Sequence, residues 1–367
     1  MKKVFLYRNI LLTILMATSI SASGQEYRKR RNETKSFKIV GDTELKLVNK
    51  YGRIQLIPWT KDSIRFEVNI EVRAKKEDKA LSILNDIDID IVSFQSYIES
   101  KTSFTNSDSF WGGVKDKTSG VFSGDNKTQI DYKIYLPSTV HINIENKYGD
   151  IFMEDRRGRT TINLANGDLK AGALQGPTSI TLSFAYANVK EITNGSINMD
   201  HRSELQLDVA GELKLESRSS RVTLGSIDKL NIKSHRDKYS VEKVAELSAN
   251  NNYTYLVINS LGKSLSVDAK YGSVDINTIE NEVKRLDFNV EDTDISIVKP
   301  KSRSITIEAI YSESAGLYFP TELVNKSTTM EDEEKKLVKT IGMVGDSFVS
   351  PIKLNIIIPT GNLRIKE

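Results

Sequence analysis

Apolar and polar residues alternate in brief runs along most of the chain. Residues 37–40 and 45–48 do so, as do Ile64, Phe66, Val68, Ile70 and Val72 and the stretch 130–136, which Pro137 stops. Period two is the mark of a half-buried strand. Over 75–85 the period changes: Ala80, Leu84 and Ile87 share one helical face with Leu81 beside them, and Glu77 and Asp78 suit a helix N-terminus. One short helix is expected there. A second is expected over 329–339, where Glu331 with Lys335 and Asp332 with Lys336 stand four apart. Strands are expected over 352–358 and 363–365.

The alternation is also a repeat. The phrase aromatic–small–polar–aliphatic stands as Tyr51-Gly52-Arg53-Ile54, Tyr148-Gly149-Asp150-Ile151 and Tyr271-Gly272-Ser273-Val274. Its aliphatic position recurs at Ile151, Leu169, Val189, Leu205, Val222, Val241, Leu256, Val274 and Ile295, at intervals of 15 to 21 residues. A second register interleaves at Ile162, Ile180, Ile197, Leu213, Leu230, Leu247, Leu265, Leu286 and Ile305. A unit this short holds two or three strands and tight corners but no crossover helix. The pattern predicts an all-β chain built as a parallel β-solenoid (β-helix or β-roll) with short coils, whose inward aliphatics form ladders. A stack of antiparallel hairpins is the competing layout, and it would not need two registers repeating in step.

Solenoids need covered ends. The expected organisation is a signal peptide at 1–24, a basic flexible tail at 25–36, a helix-bearing N-terminal cap region with a long loop at 37–147, the repeat at 148–315 and a C-terminal cap at 316–367. Lys2, Lys3 and Arg8 ahead of an apolar run at 10–17 and the small residues Ala22-Ser23-Gly24 form the leader pattern. That run is too short for a membrane span, which needs about 20 apolar residues. An exported chain is expected, periplasmic, outer-membrane associated or extracellular.

Charge narrows the partners. The formal +3 comes from the leader: without Lys2, Lys3 and Arg8, 52 − 3 = 49 basic residues stand against 49 acidic ones. A finely mixed, neutral surface attracts a polyanion weakly, which argues against nucleic acid. Arg28-Lys29-Arg30-Arg31 is the one basic block and reads as a solvated tail, with a docking motif as the other reading. The chain has no cysteine, which removes disulfides, thiol nucleophiles and thiolate metal ligands.

Candidate chemistry is sparse. His141, His201 and His235 stand in no metal-ligand spacing. Gly149-Asp150 and Gly167-Asp168 lack the dense glycine pattern of calcium-binding repeats and fit turns better. No catalytic residue, metal site or cofactor is expected. Counting three back from the aliphatic marker gives Tyr51, Tyr148, Asn166, Tyr186, Tyr253, Tyr271 and Asp292, so stacked layers would place several tyrosines near one corner. A tyrosine row offers apolar faces and hydroxyls to sugar rings or a partner surface. It could equally seal the corner by packing on itself. The candidate ligand-binding residues are therefore Tyr148, Tyr186, Tyr253 and Tyr271, with Trp111 beside Gly112-Gly113 in the polar segment 101–127.

The leader, the helix-bearing section and the stretch NKYGDIFMEDRRGRTTINLANGDLKAGALQGPTSITLSFAYANVKEI resemble a bacterial cell-envelope family of β-strand-repeat proteins regarded as candidate adhesins, related to the head domain of autotransporter adhesins. The likeness covers roughly residues 40–310. It implies a β-helical fold in the periplasm or at the surface of a Gram-negative cell, and it brings no catalytic residues. The expected function is a non-enzymatic envelope or surface binding protein, a candidate adhesin whose partner is an envelope polysaccharide or a surface protein. A polysaccharide-active β-helix lyase or hydrolase is the enzymatic alternative, and a purely structural envelope component is the third reading.

Overall fold

The structure, a computed structural model, describes residues 26–105, 126–345 and 351–367. The leader and Trp111 lie outside the described residues. Nearly all of the described chain is strand, with a single helix, α1 (Glu77–Asp86). No helix among the described residues is long and apolar enough to cross a membrane. The chain divides into two compact units.

The smaller unit takes its described residues from 26–32, 69–88, 103–105 and 126–130 and carries α1. The helix buries Ala80, Ile83 and Leu84, while Leu81 is exposed. The Arg28–Arg31 block is no solvated tail, because it lies in strand Tyr27–Lys38 with every cation engaged. Glu71, nearly buried, receives Arg30 Nε at 2.7 Å and Arg73 Nε at 2.6 Å, with Arg28 Nε at 3.4 Å. Lys29 pairs with Glu77. Arg31 donates to the carbonyls of Leu84 at 3.1 Å and Ile87 at 2.6 Å. The last turn of α1 has no basic residue of its own, so a distant arginine satisfies its orphan carbonyls.

The larger unit, 33–68, 89–102 and 131–367, is a solenoid-like stack of parallel strands. Inward aliphatics line up from layer to layer, as in Leu47, Ile144, Ile162, Ile180, Ile197 and Leu215, all nearly or fully buried. Each such side chain contributes about 1.5–3 kcal/mol by leaving water. Outward charges pair between layers, as in Arg221–Glu204 at 3.0 Å and Lys229–Glu212 at 3.3 Å. These exposed pairs add little each.

Three expectations of register are corrected. Leu169 stands beside Ala187, not Val189, and Val222 beside Tyr239, not Val241. In the second series Ile197 faces Leu215, not Leu213. A slip of two residues keeps the same side chains inward, so alternation cannot register it.

The stack does not begin at residue 148, nor does it follow chain order at its ends. Glu44–Lys50 lies between residues 97–101 and His141–Lys147, and Ile54–Pro58 lies between residues 132–136 and Ile151–Met153. At the other end Ile352–Ile358 inserts between Arg285–Val298 and Ile305–Tyr311: Leu286 pairs with Leu354, and Leu354 with Ile307. Leu286 and Ile305 are therefore not neighbours. An edge segment clamped between two layers is protected from fraying.

The helix expected over 329–339 is instead a hairpin. Val324–Asp332 and Leu337–Val344 pair antiparallel, and the second strand also pairs antiparallel with Ile305–Tyr311, covering that edge. Ion pairs four apart add only about 0.2–0.5 kcal/mol each to a helix. Strand pairing here satisfies a row of backbone groups and buries Thr340, Met343 and Val344.

Candidate functional site

One corner of the stack repeats a single backbone feature. Tyr51, Tyr148, Asn166, Phe184, Arg202, Ser219, Arg236, Tyr253, Tyr271 and Asp292 all have positive φ, between 46° and 67°. The residue at the tyrosine position turns in every layer, and in the Tyr271-Gly272 copy the glycine is at positive φ as well, 142°. A left-handed conformation costs an L-residue about 1–2 kcal/mol, so the corner is held by its surroundings. Backbone amides at the corner bond to the next layer, as in Tyr51 N to Lys147 O at 2.8 Å and Tyr148 N to Ala165 O at 2.9 Å.

The glycine in the phrase serves close approach. A Cβ on Gly149 would stand 1.9 Å from the Gly52 carbonyl oxygen. Asn146, buried near the end of the strand that leads into the Tyr148 turn, donates from Nδ2 to Gly52 O at 3.0 Å and Gly149 O at 2.9 Å, lacing the two corners together. Further along the stack, small polar side chains replace the glycines: Ser203, Ser220, Asp237, Thr254 and Thr293 are all buried. Asp237 is the most elaborate case. It accepts Ser217 Oγ and Ser220 N, each at 2.7 Å, and His235 N at 2.9 Å, while Ser217 Oγ also meets the buried Tyr239 hydroxyl at 2.5 Å. Burial pushes the Asp237 carboxyl above its ordinary pKa against those hydrogen bonds.

The aromatic side chains at the corner form separate pairs. Tyr51 and Tyr148 stack with centroids 5.3 Å apart, and Lys50 Nζ lies 4.7 Å from the Tyr51 ring. Tyr253 and Tyr271 stack at 4.6 Å, with His235 edge-on to Tyr253 at 5.9 Å. Between them, Phe184 stacks on His201 at 4.9 Å. Tyr148, Phe184, Tyr253 and Tyr271 are 41–56% exposed, large for rings at a folded corner. At about 4.8 Å per layer, Tyr148 and Tyr253 are six layers and about 29 Å apart. The structure thus joins Tyr253 to Tyr271 and Tyr148 to Tyr51, but it does not bring the four candidates into one row.

Tyr186 is not at the corner. It lies on the following strand, where its hydroxyl donates to Gln206 Oε1 at 3.1 Å and accepts from Asn188 Nδ2 at 3.4 Å. Counting three back from Val189 leads to Tyr186; counting three back from Ala187, the true partner of Leu169, leads to Phe184. The interval of 18 from Tyr148 to Asn166, repeated to Phe184, was the available signal.

An open recess of about 710 Å³ lies beside the corner, lined among others by Asn198, His201, Glu216, Arg218, His235 and Asn252. It is polar, and the Asn252 Oδ1 is buried there without a hydrogen-bond partner. His201 Nε2 is 3.7 Å from Asp200. Phe184 and Tyr253 bracket this stretch four layers apart, about 19 Å. Among the described residues no group of three or more His, Asp or Glu side chains is placed to hold a metal ion. The arrangement offers ring surfaces, amides and hydrogen-bonding acceptors, the chemistry of binding.

No protein-family model matches the chain, and no curated protein does. Among solved structures it is similar to a candidate cell adhesion protein from Clostridium sporogenes, 14% identical, covering 92% of this chain and 99% of that one with a TM-score of 0.21. A candidate lipid binding protein from Parabacteroides distasonis is 13% identical, covering 72% and 93%, with a TM-score of 0.32. A candidate adhesin from Bacteroides fragilis is 11% identical, covering 73% and 97%, with a TM-score of 0.29. These likenesses assign no residue and no activity.

Proposed function

We propose that this protein is an exported, non-catalytic binding protein of the cell envelope, a parallel β-solenoid that holds a saccharide polymer along its aromatic corner. The observation that carries the reading is the set of exposed rings at Phe184, Tyr253 and Tyr271 bracketing a polar recess. Ring faces accept the apolar face of a sugar, and amides and hydroxyls between them meet its hydroxyls. The leader pattern at 1–24 supports export, and the neutral charge balance argues against a nucleic-acid partner. Mutual stacking of the tyrosines also seals the corner, and that is the reading to be separated experimentally.

The test is co-sedimentation of the purified protein with isolated envelope polysaccharide and with whole cells, beside Tyr253→Ser/Tyr271→Ser and Phe184→Ser variants checked for folding by circular dichroism. Binding by the native protein that the folded variants lose supports the corner as a recognition surface. Equal binding by all three shows that the rings only seal the corner. Absence of binding by the native protein sinks the polymer reading and leaves a protein partner.

A further inference from the structure

A second recess opens on the strand face that follows the tyrosine corner, with a volume of about 810 Å³. Its lining includes Phe152, Arg157, Lys170, Gln175, Asn188 and Lys190. Phe152 and Lys170 occupy neighbouring rungs, and Lys170 is followed by Asn188. Gly172 packs closely on the layer before it, where a Cβ would stand 2.3 Å from Asp155 Oδ1. The Arg53 guanidinium lies 5.1 Å from the Phe152 ring centroid and helps hold that ring in place.

Some exposed lysines and arginines of the stack pair with carboxylates of the adjacent layer, as Arg221 does with Glu204, Lys229 with Glu212 and Lys263 with Glu246. Arg157, Lys170 and Lys190 form no ion pair with any described residue, although Glu154 and Asp155 share the lining. Asp155 is occupied locally, its Oδ1 accepting from Ala173 N at 2.8 Å. Three unpaired cations around an aromatic ring and two amides match a ring-shaped ligand that carries its own anionic groups.

We propose that this recess is a binding site for an acidic saccharide, with Lys170, Lys190 and Arg157 on its carboxylates, Asn188 and Gln175 on its hydroxyls and Phe152 against its ring. It does not depend on the aromatic corner as a binding surface. The probe is a fluorescently labelled oligogalacturonate titrated into the full protein at physiological salt. A Lys170→Ala/Lys190→Ala variant should weaken binding by about tenfold or more. A Lys229→Ala/Lys263→Ala variant, which removes the same charge from paired positions, should bind as the native protein does. A neutral galacto-oligosaccharide should not compete, and the Tyr253→Ser/Tyr271→Ser variant should retain binding. Equal weakening by both lysine variants would reduce the effect to bulk charge and overturn the proposal. Failure of the native protein to bind at millimolar oligogalacturonate, or binding of inorganic polyphosphate in its place, would overturn it as well.

Discussion

Replacing Asp237 with alanine tests whether buried polar side chains, rather than aliphatic packing alone, hold the corner on which the aromatic rings stand. The carboxylate is 1% exposed and bonded to Ser217 Oγ, Ser220 N and His235 N. Alanine leaves those three donors facing an interior that water does not reach. A buried donor without a partner costs about 1–3 kcal/mol, and partial relaxation lowers the sum, so Asp237→Ala should destabilise the stack by about 3–5 kcal/mol. Asp237→Asn keeps the shape and one acceptor oxygen, and should cost about 1–2 kcal/mol. Urea unfolding followed by circular dichroism reads both variants, and amide exchange at Ser220 and His235 locates the damage. The pH dependence has a defined sign. Burial raises the folded-state pKa of Asp237, so its contribution is fully present below the unfolded pKa, about 3.9, and is lost as pH rises through the folded value. Lowering the pH from neutral should therefore move the stability difference in favour of the native protein over Asp237→Asn. An alanine variant within about 1 kcal/mol of the native protein, or an asparagine variant as costly as alanine, would refute the reasoning.

Three further outcomes are expected. Burial disfavours the Glu71 carboxylate, but hydrogen bonds from Arg73 and Arg30 outweigh it and hold the pKa below the usual carboxylate range. Its contribution is present above the unfolded pKa and lost as pH falls through the folded value, so exchange protection around Arg30 and Arg73 should drop in acid and become pH-independent in Glu71→Gln. Arg31→Ala should weaken α1 by about 1–2 kcal/mol, seen as faster amide exchange confined to 77–87; unchanged exchange there would deny the capping role. Gly149→Ala forces a Cβ to 1.9 Å from Gly52 O and should cost about 1–3 kcal/mol by overpacking, with a loss of near-ultraviolet dichroism from the Tyr51–Tyr148 pair. A melting temperature equal to that of the native protein would show that the two corners separate freely.

Much of the architecture is local in origin and was legible. Period-two runs place Ile151 and Leu169, or Ile162 and Ile180, inward, and the pairs do stand beside each other. The helix over 77–86 and the strand Ile352–Ile358 follow from composition and spacing in the same way. The tyrosines at 148, 253 and 271 fall at the corner because intervals of 17 or 18 residues return the chain to the same place, and Tyr51 shares their position three before an aliphatic marker. Phe184 escaped because a two-residue slip leaves the inward face unchanged.

What the sequence by itself determined is which side chains face inward and how often the chain turns, since both depend on neighbours within a few residues. Only the tertiary structure decided which layer lies against which. A buried strand satisfies its backbone equally well against any parallel neighbour of matching pattern, so Glu44–Lys50 and Ile352–Ile358 could take places out of chain order. The same holds for Arg28–Arg31, whose role as a clamp on Glu71 and α1 depends on partners 41 to 56 residues away. The hairpin at 324–344 likewise replaced a locally plausible helix because an open strand edge was there to be covered.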